Sequence, residues 1–318
     1  MSIVAILGTR YPDFVIEEGV LAGIDIVAGP GATPDEIVEI AGDADVILIG
    51  SLPRFTGEVL HRLTCRALVR SGIGVDNVDL EVARALGYTV AYVPDYGTEA
   101  VAQHTLALAL AANRRLGEAD RLVRQGDWGF ASLRPLHLPS ALTVGVVGFG
   151  RIGRRTAELF HAVGFGRIVV HDAYITPDVD WAEPVSLEEL LSVSDLVTLH
   201  APGPQGGGAL IGADEIGRMK PGSAIVNTAR GSLIDPTALS AGLAVGAPTV
   251  AALDVFSPEP PDLSPYEGVI DRMILSPHAA WYTEESQADL RRKSAEEAAR
   301  MLAGQTPLNA VIQPQEES

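Results

Sequence analysis

The side chains of this 318-residue chain best suited to chemistry are few and far apart in sequence. Arg230 ends the run Asn227-Thr228-Ala229-Arg230, Asp254 and Glu259 flank the start of a proline-rich segment, and His278 follows Pro277. A cation, two carboxylates and an imidazole can bind a small anion and move a proton. A separate pattern is suited to phosphate: Gly148-Phe149-Gly150-Arg151-Ile152-Gly153 has the spacing G-x-G-x-x-G. In such a turn Gly148 permits the tight bend, Gly150 lets the backbone approach a pyrophosphate, and Gly153 lets a helix pack close to a strand. Arg151 and Ile152 open that helix, whose N-terminal N–H groups and partial positive charge favour an anion.

With 33 glycines in the chain the bare pattern means little, so its context decides. It directly follows the β-branched run Leu142–Val147 and opens the helical stretch Ile152–Val163. The next strand ends in His171-Asp172, and Asp172 stands nineteen residues past Gly153, where an acidic residue receives ribose hydroxyls. Its charge would repel a 2′-phosphate, which favours NAD over NADP. A nucleotide-free turn and a methyltransferase that binds S-adenosylmethionine share this local pattern, and both stay open on these residues alone. Hydride transfer between NAD and a 2-hydroxy acid needs a cation for the carboxylate and an acid–base group for the oxygen. Arg230, Asp254 with Glu259, and His278 each follow a strand and offer such groups, but spacing does not assign their roles.

The elements that must position these groups are short and alternate in type. Ile3–Leu7, Ile24–Val27, Val46–Ile49, Ala67–Val69 and Thr89–Tyr92 read as strands, with helices at Asp35–Ala41, Thr56–Leu63 and Asp79–Leu86 between them. One long apolar helix from Glu99 to about Leu122 then carries the chain across to a second series. There Leu142–Val147, Arg167–His171, Asp195–Leu199, Ser223–Asn227, Thr249–Leu253 and Arg272–Leu275 read as six parallel strands, and Glu284–Leu302 as an amphipathic helix. Alternating βα units predict an α/β protein with two Rossmann-like domains, doubly wound parallel sheets and a cleft between the domains. The expected boundaries are 1–98 plus 281–318 for one domain and 99–280 for the other, and the dispersed 33 glycines and 21 prolines punctuate the many short connections.

Composition narrows the partners. Forty-one acidic against 23 basic residues give a net charge of −18, which disfavours nucleic acid and anionic membranes as partners. The single cysteine, Cys65, rules out an intramolecular disulfide, and no His/Asp/Glu cluster has metal-ligand spacing. The N-terminus lacks a basic segment and cleavage site, so the expected address is the cytoplasm. His61, His104, His137 and His161 read as structural.

Several separated motifs resemble the NAD-dependent D-isomer-specific 2-hydroxyacid dehydrogenases over nearly the full chain. They are Arg70-Ser71-Gly72-Ile73-Gly74-Val75-Asp76-Asn77, Gly148 to Gly153, Leu199-His200-Ala201-Pro202, Met219-Lys220-Pro221-Gly222, Asn227 to Gly231, Ala252-Leu253-Asp254-Val255 and Ser276-Pro277-His278. Tyr96-Gly97-Thr98-Glu99 and His278-Ala279-Ala280-Trp281-Tyr282 are most similar to the branch containing the C-terminal-binding-protein corepressors and their bacterial relatives. The resemblance implies that Arg230 binds the substrate carboxylate, His278 exchanges the proton, and Glu259 favours the protonated imidazole. It implies that Asp254 meets the nicotinamide carboxamide, with His200, Ala201, Pro202, Thr228, Ala229 and Thr105 on the cofactor side. Ile73 and Gly74 would hold the substrate carboxylate by their backbone, Trp281 would cover the substrate side chain, and the protein would be a homodimer through its cofactor domains. The function so implied is hydride transfer between NAD(H) and a small 2-oxo or D-2-hydroxy acid. The same fold acting on formate, phosphite or a phosphonate is one alternative. Another is an NAD-responsive corepressor or scaffold, against which the tail Pro314–Ser318 is too short. The chain departs from the family pattern at Gly203-Pro204-Gln205-Gly206-Gly207-Gly208, where a threonine-containing turn is usual, and at Gln103 and Ser71.

Overall fold

A computed structural model of the protein describes residues 2–9, 11–203 and 207–313. The chain divides into two compact units, Met1–Gly97 with Thr283–Ser318, and Thr98–Tyr282. In chain order the first unit contributes β1 (Ile3–Leu7), α1 (Val15–Val20), β2 (Asp25–Gly29), α2 (Pro34–Ala41), β3 (Val46–Ile49), α3 (Gly57–Arg62), β4 (Ala67–Arg70), α4 (Leu80–Ala85) and β5 (Thr89–Tyr92). The second unit holds α5 (Thr98–Asn113), α6 (Leu116–Arg124), β6 (Thr143–Val147), α7 (Arg151–Val163), β7 (Arg167–His171), β8 (Glu183–Pro184) and α8 (Leu187–Val193). It continues with β9 (Leu196–Leu199), α9 (Ala213–Arg218), β10 (Ala224–Asn227), α10 (Pro236–Val245), β11 (Val250–Leu253) and β12 (Met273–Leu275). The chain then returns to the first unit through α11 (Glu284–Leu302) and β13 (Ala310–Ile312).

In the second unit the strand order is β12-β11-β10-β9-β6-β7-β8, and every pair is parallel. Helices cover both faces, so the inner strands β6, β9, β10 and β11 are buried on both faces and read as nearly unbroken apolar runs. Along β7, Ile168 and Val170 join the core shared with Phe160 and Ala109, while Val169 joins the opposite core with Leu190 and Val197. Each such buried side chain contributes about 1.5–3 kcal/mol. Because all strands run the same way, the loops after β6, β7, β9, β10, β11 and β12 leave from one edge of the sheet. The chain reverses its winding between β6 and β9, and ligands of open sheets bind at that point.

The first unit has the strand order β13-β5-β4-β3-β1-β2, parallel except for the antiparallel edge strand β13. Three features differ from the sequence expectation. The helix expected from Glu99 to Leu122 is two helices, because Arg115 turns left-handed at φ 47° and bends the chain. The apolar pattern runs on through the bend, but α5 is a buried helix and α6 has no buried residue. The six strands expected in the second unit are seven, since Glu183–Pro184 adds an edge of two residues tethered by Arg167 to Glu183 at 2.9 Å. In the first unit α1 and β13, six and three residues long, are too short to carry a periodic signal. Of the glycine-rich departure, Pro204, Gln205 and Gly206 lie outside the described residues, as does the tail Pro314–Ser318.

Candidate active site

The glycine turn after β6 is closed on two sides and open on the third. Gly148 has φ 94°, and a Cβ there would lie 2.7 Å from the carbonyl carbon of His200. A Cβ on Gly153 would lie 2.0 Å from the Gly148 carbonyl oxygen, so helix α7 can approach the turn only without one. A Cβ on Gly150 would meet nothing within 4 Å. Helix α7 starts at the next residue with exposed Arg151, followed by Ile152, and carries no acidic residue in its first turn. Those residues suit the pyrophosphate of a dinucleotide: an open backbone approach, thirteen residues of aligned peptide dipole and no competing carboxylate.

Asp172 caps this arrangement from the end of β7. One carboxylate oxygen accepts the Phe149 N–H at 2.6 Å, and the other accepts those of Tyr174 and Ile175 at 2.8 and 2.9 Å. Burial would raise its pKa, but the three backbone donors outweigh burial and hold the carboxyl below its ordinary range. His200, at the end of β9, bonds through Nε2 to the Thr198 hydroxyl at 3.0 Å. Burial pushes its imidazole down to about 3, so it stays neutral beside the turn. Ala201 and Pro202 follow it along the same edge.

The remaining groups leave β10, β11 and β12. Asn227, 1% exposed, accepts the Ala229 N–H at 3.0 Å and donates Nδ2–H to the Arg230 carbonyl at 2.8 Å, which clamps the loop that carries Arg230. Arg230 in turn donates Nη1–H to the Ala229 carbonyl at 2.8 Å. The next residue, Gly231, packs where a Cβ would sit 2.0 Å from the Phe256 carbonyl carbon. Thr105 gives its hydroxyl proton to the Val101 carbonyl at 2.7 Å, so the 2.8 Å bond between Thr105 and Thr228 is donated by Thr228. Thr105 is fully buried.

His278 and Glu259 come together. Nδ1 of His278 is 2.7 Å from one Glu259 oxygen, and the other Glu259 oxygen accepts the Phe256 N–H at 3.0 Å. With the carboxylate as acceptor, Nδ1–H donates to it and the imidazole keeps Nε2 for another partner. His278 itself has φ 53°, a left-handed backbone that few non-glycine residues adopt. Asp254, fully buried at the end of β11, supports that turn. Its carbonyl accepts the His278 N–H at 2.7 Å, and its carboxylate accepts Ala279 and Ala280 N–H and the Ser276 hydroxyl.

Thus Gly148, Gly150, Gly153, Asp172, His200, Thr228, Ala229, Arg230, Asp254, Glu259 and His278 are gathered at one sheet edge of one unit. Trp281 follows with its ring edge-to-face on Tyr282, centroids 5.7 Å apart. Ile73 and Gly74 belong to the first unit, after β4 and Gly72, whose missing Cβ makes room for the Arg70 guanidinium. The sequence does not single out Asn227 and Ser276, and His104 reads there as structural. Asn227 and Ser276 sit inside quoted motifs, and His104 reads as one more residue of an apolar helix. Among the described residues, no three His, Cys, Asp or Glu side chains are grouped to hold a metal, and no helix is long and apolar enough to cross a membrane.

Known proteins share the sequence pattern and the fold of this chain. The sequence profile of the D-isomer specific 2-hydroxyacid dehydrogenase NAD binding domain matches residues 106–280. A glyoxylate reductase of Aeropyrum pernix is 37% identical over 87% of this chain and 85% of its own length. A D-3-phosphoglycerate dehydrogenase of Methanocaldococcus jannaschii is 35% identical over 91% of this chain, but only 56% of its own length is spanned. The chain therefore covers little more than half of such phosphoglycerate dehydrogenases. Among solved structures, D-lactate dehydrogenase from Aquifex aeolicus, complexed with NAD and lactic acid, superposes with a TM-score of 0.87 at 26% identity, over 98% of this chain and all of the other. The chain belongs to the D-isomer specific 2-hydroxyacid dehydrogenase family, and its second unit carries that family's NAD-binding domain.

Proposed function

We propose that this protein interconverts a small 2-oxo acid and the corresponding D-2-hydroxy acid with NAD(H). The observation that carries the reading is the 2.7 Å pair of His278 and Glu259, on the sheet edge that also bears the glycine turn and Arg230, in a member of this family. NADH, when bound, supplies the hydride. The open side of Gly150 and the first turn of α7 would receive its pyrophosphate, Asp172 its ribose hydroxyls, and Thr228 and Asp254 its nicotinamide end. His278 gives a proton from Nε2 to the reduced carbonyl oxygen, or takes it back in the reverse direction, while Glu259 stabilises the imidazolium. Arg230 holds the carboxylate through its planar fork, which lysine lacks. Backbone N–H groups at Ile73 and Gly74 complete the carboxylate site, and Trp281 borders the side-chain pocket. The first unit acts as the substrate domain and the second as the cofactor domain. In a chain of net charge −18, Arg230, Arg151, Arg70 and the α7 N-terminus supply the local positive potential an anionic substrate needs.

The test is NADH oxidation with a panel containing glyoxylate and the 2-oxo counterparts of D-lactate and D-3-phosphoglycerate. At least one acid is turned over, His278→Ala lowers kcat by about 10³-fold, and Arg230→Ala raises KM by at least about tenfold. Unchanged turnover in both variants would refute the site.

The same reading includes a homodimer through the cofactor units, in the cytoplasm. Support comes from α6, which buries no residue of its own, and from Trp128, Phe130 and Leu138 on the following loop, exposed at 91%, 64% and 68%. Sedimentation of the intact chain should give a dimer, and Trp128→Asp with Phe130→Asp should shift it toward monomer.

A further inference from the structure

We propose that His104 and Ser276 are positioning residues of the reaction, joined to Asp254 in a hydrogen-bonded chain that sets the turn from which His278 acts. The inference rests on the reading of His278 as the proton-exchanging group. Three elements converge here: His104 lies on α5, Asp254 follows β11, and Ser276 follows β12. The Ser276 hydroxyl is 2.6 Å from Asp254 Oδ1 and 3.0 Å from His104 Nε2. A hydroxyl has one proton, and the ionised carboxylate can only accept. Ser276 therefore donates to Asp254 and accepts from His104, which must carry its proton on Nε2.

The chain ends on the turn itself. Asp254 Oδ1 also accepts the Ala279 N–H at 2.9 Å, and Oδ2 accepts the Ala280 N–H at 2.9 Å. Two consecutive amides after His278 are thus aimed at one buried carboxylate, while the His278 N–H is held by the Asp254 carbonyl. A left-handed histidine persists only where its surroundings over-determine it, and these three bonds do so. Were Ser276 not fixed by His104, Oδ1 would keep one donor fewer and the carboxylate could rotate away from Ala279. His278 would then lose the bearing that places its Nδ1 against Glu259.

The experiment compares His104→Ala, His104→Gln, Ser276→Ala and Ser276→Thr in the full chain. Glutamine keeps an N–H donor near the position of Nε2, and threonine keeps the hydroxyl. Ser276→Ala and His104→Ala are expected to lower kcat by about tenfold, with KM for the 2-oxo acid and the NADH dissociation constant within about twofold of wild type. Ser276→Thr and His104→Gln are expected to recover most of the loss. The ring resonances of His278 in 1H–13C spectra provide a readout without turnover: they shift in the alanine variants and return in the conservative ones. A purely structural role would lower thermal stability and leave kcat and those resonances unchanged. That result, equal losses in kcat and NADH affinity, or losses that the conservative variants do not recover, would each overturn the proposal. If His278→Ala retains full turnover, the acid–base reading fails instead, and the resonances still decide whether the chain positions the turn.

Discussion

Both sheets reverse their winding beside a central strand, yet the two crevices are built to opposite effect. In the first unit the crevice lies between β1 and β3, in the second between β6 and β9. Gly8 and Gly148 each turn left-handed just past the central strand, at φ 65° and 94°, and each is backed by the loop from the neighbouring strand. After β1 the next helix among the described residues begins at Val15 and has six residues, with Glu17 and Glu18 in its first turn. Glu17 is buried against Arg291 of α11 at 2.7 Å, and Arg291 also holds Asp13 and lies under the Tyr11 ring at 4.6 Å. After β6 the helix begins within three residues of Gly148, runs for thirteen and has no acid in its first turn. The same topology thus yields a closed, internally paired end in one unit and an open phosphate-ready end in the other. Sheet order selects where a site can form, and charge and packing in the first helical turn decide whether it does.

The sharpest way to break this contrast is to add one methyl group to each turn. At Gly8 a Cβ would lie 1.7 Å from the Leu52 carbonyl oxygen, so Gly8→Ala is expected to destabilise the first unit by about 4 kcal/mol or more. At Gly150 the space is open, so Gly150→Ala should leave the urea midpoint unchanged and weaken NADH binding by at least about tenfold, because the methyl occupies the phosphate approach. Equal effects at the two sites would remove the distinction. Next in size is Arg291→Ala, which strands Glu17 in the core and should cost about 3 kcal/mol in urea unfolding, without altering NADH affinity. Loss of NADH binding in that variant would mean that the closed end also serves the cofactor.

The last expected effect concerns acid. His200 has its pKa depressed in the folded state, to about 3. Unfolded chain binds the proton below about pH 6.5 while folded chain does not, so stability from this group is present above that pH and lost as pH falls toward 3. The slope is at most about 1.4 kcal/mol per pH unit. His200→Gln should flatten that part of the unfolding profile, measured by urea titration from pH 7 to pH 4, and an unchanged slope would show that the imidazole is hydrated.

Much of the site was legible because its parts sit inside contiguous motifs. The glycine turn needs three glycines within six residues, and Arg230, Glu259 and His278 each end or follow a strand whose β-branched run is easily read. What escaped was written in no local pattern. His104 is one polar residue in a helix otherwise rich in Ala and Leu, and its partner Ser276 is 172 residues away. Asp172 shows the same limit in reverse: its spacing from Gly153 pointed to ribose, but only the folded turn reveals three backbone N–H groups already on its carboxylate. The break at Arg115 escaped because apolar periodicity records which face is buried and is blind to a single residue leaving the helical region.

Local physics was enough for the class of the elements, their parallel order and the phosphate turn, since a short βα unit carries its own hydrophobic period and its own glycines. The pairing of His278 with Glu259, the burial of Asp254 beneath the turn and the contrast between the two crevices depended on strands distant in sequence lying side by side. Such contacts are set by how sheets and helices pack, and no window along the chain encodes them. The residues capable of chemistry were therefore visible in one dimension, while the relations that make them a site exist only in three.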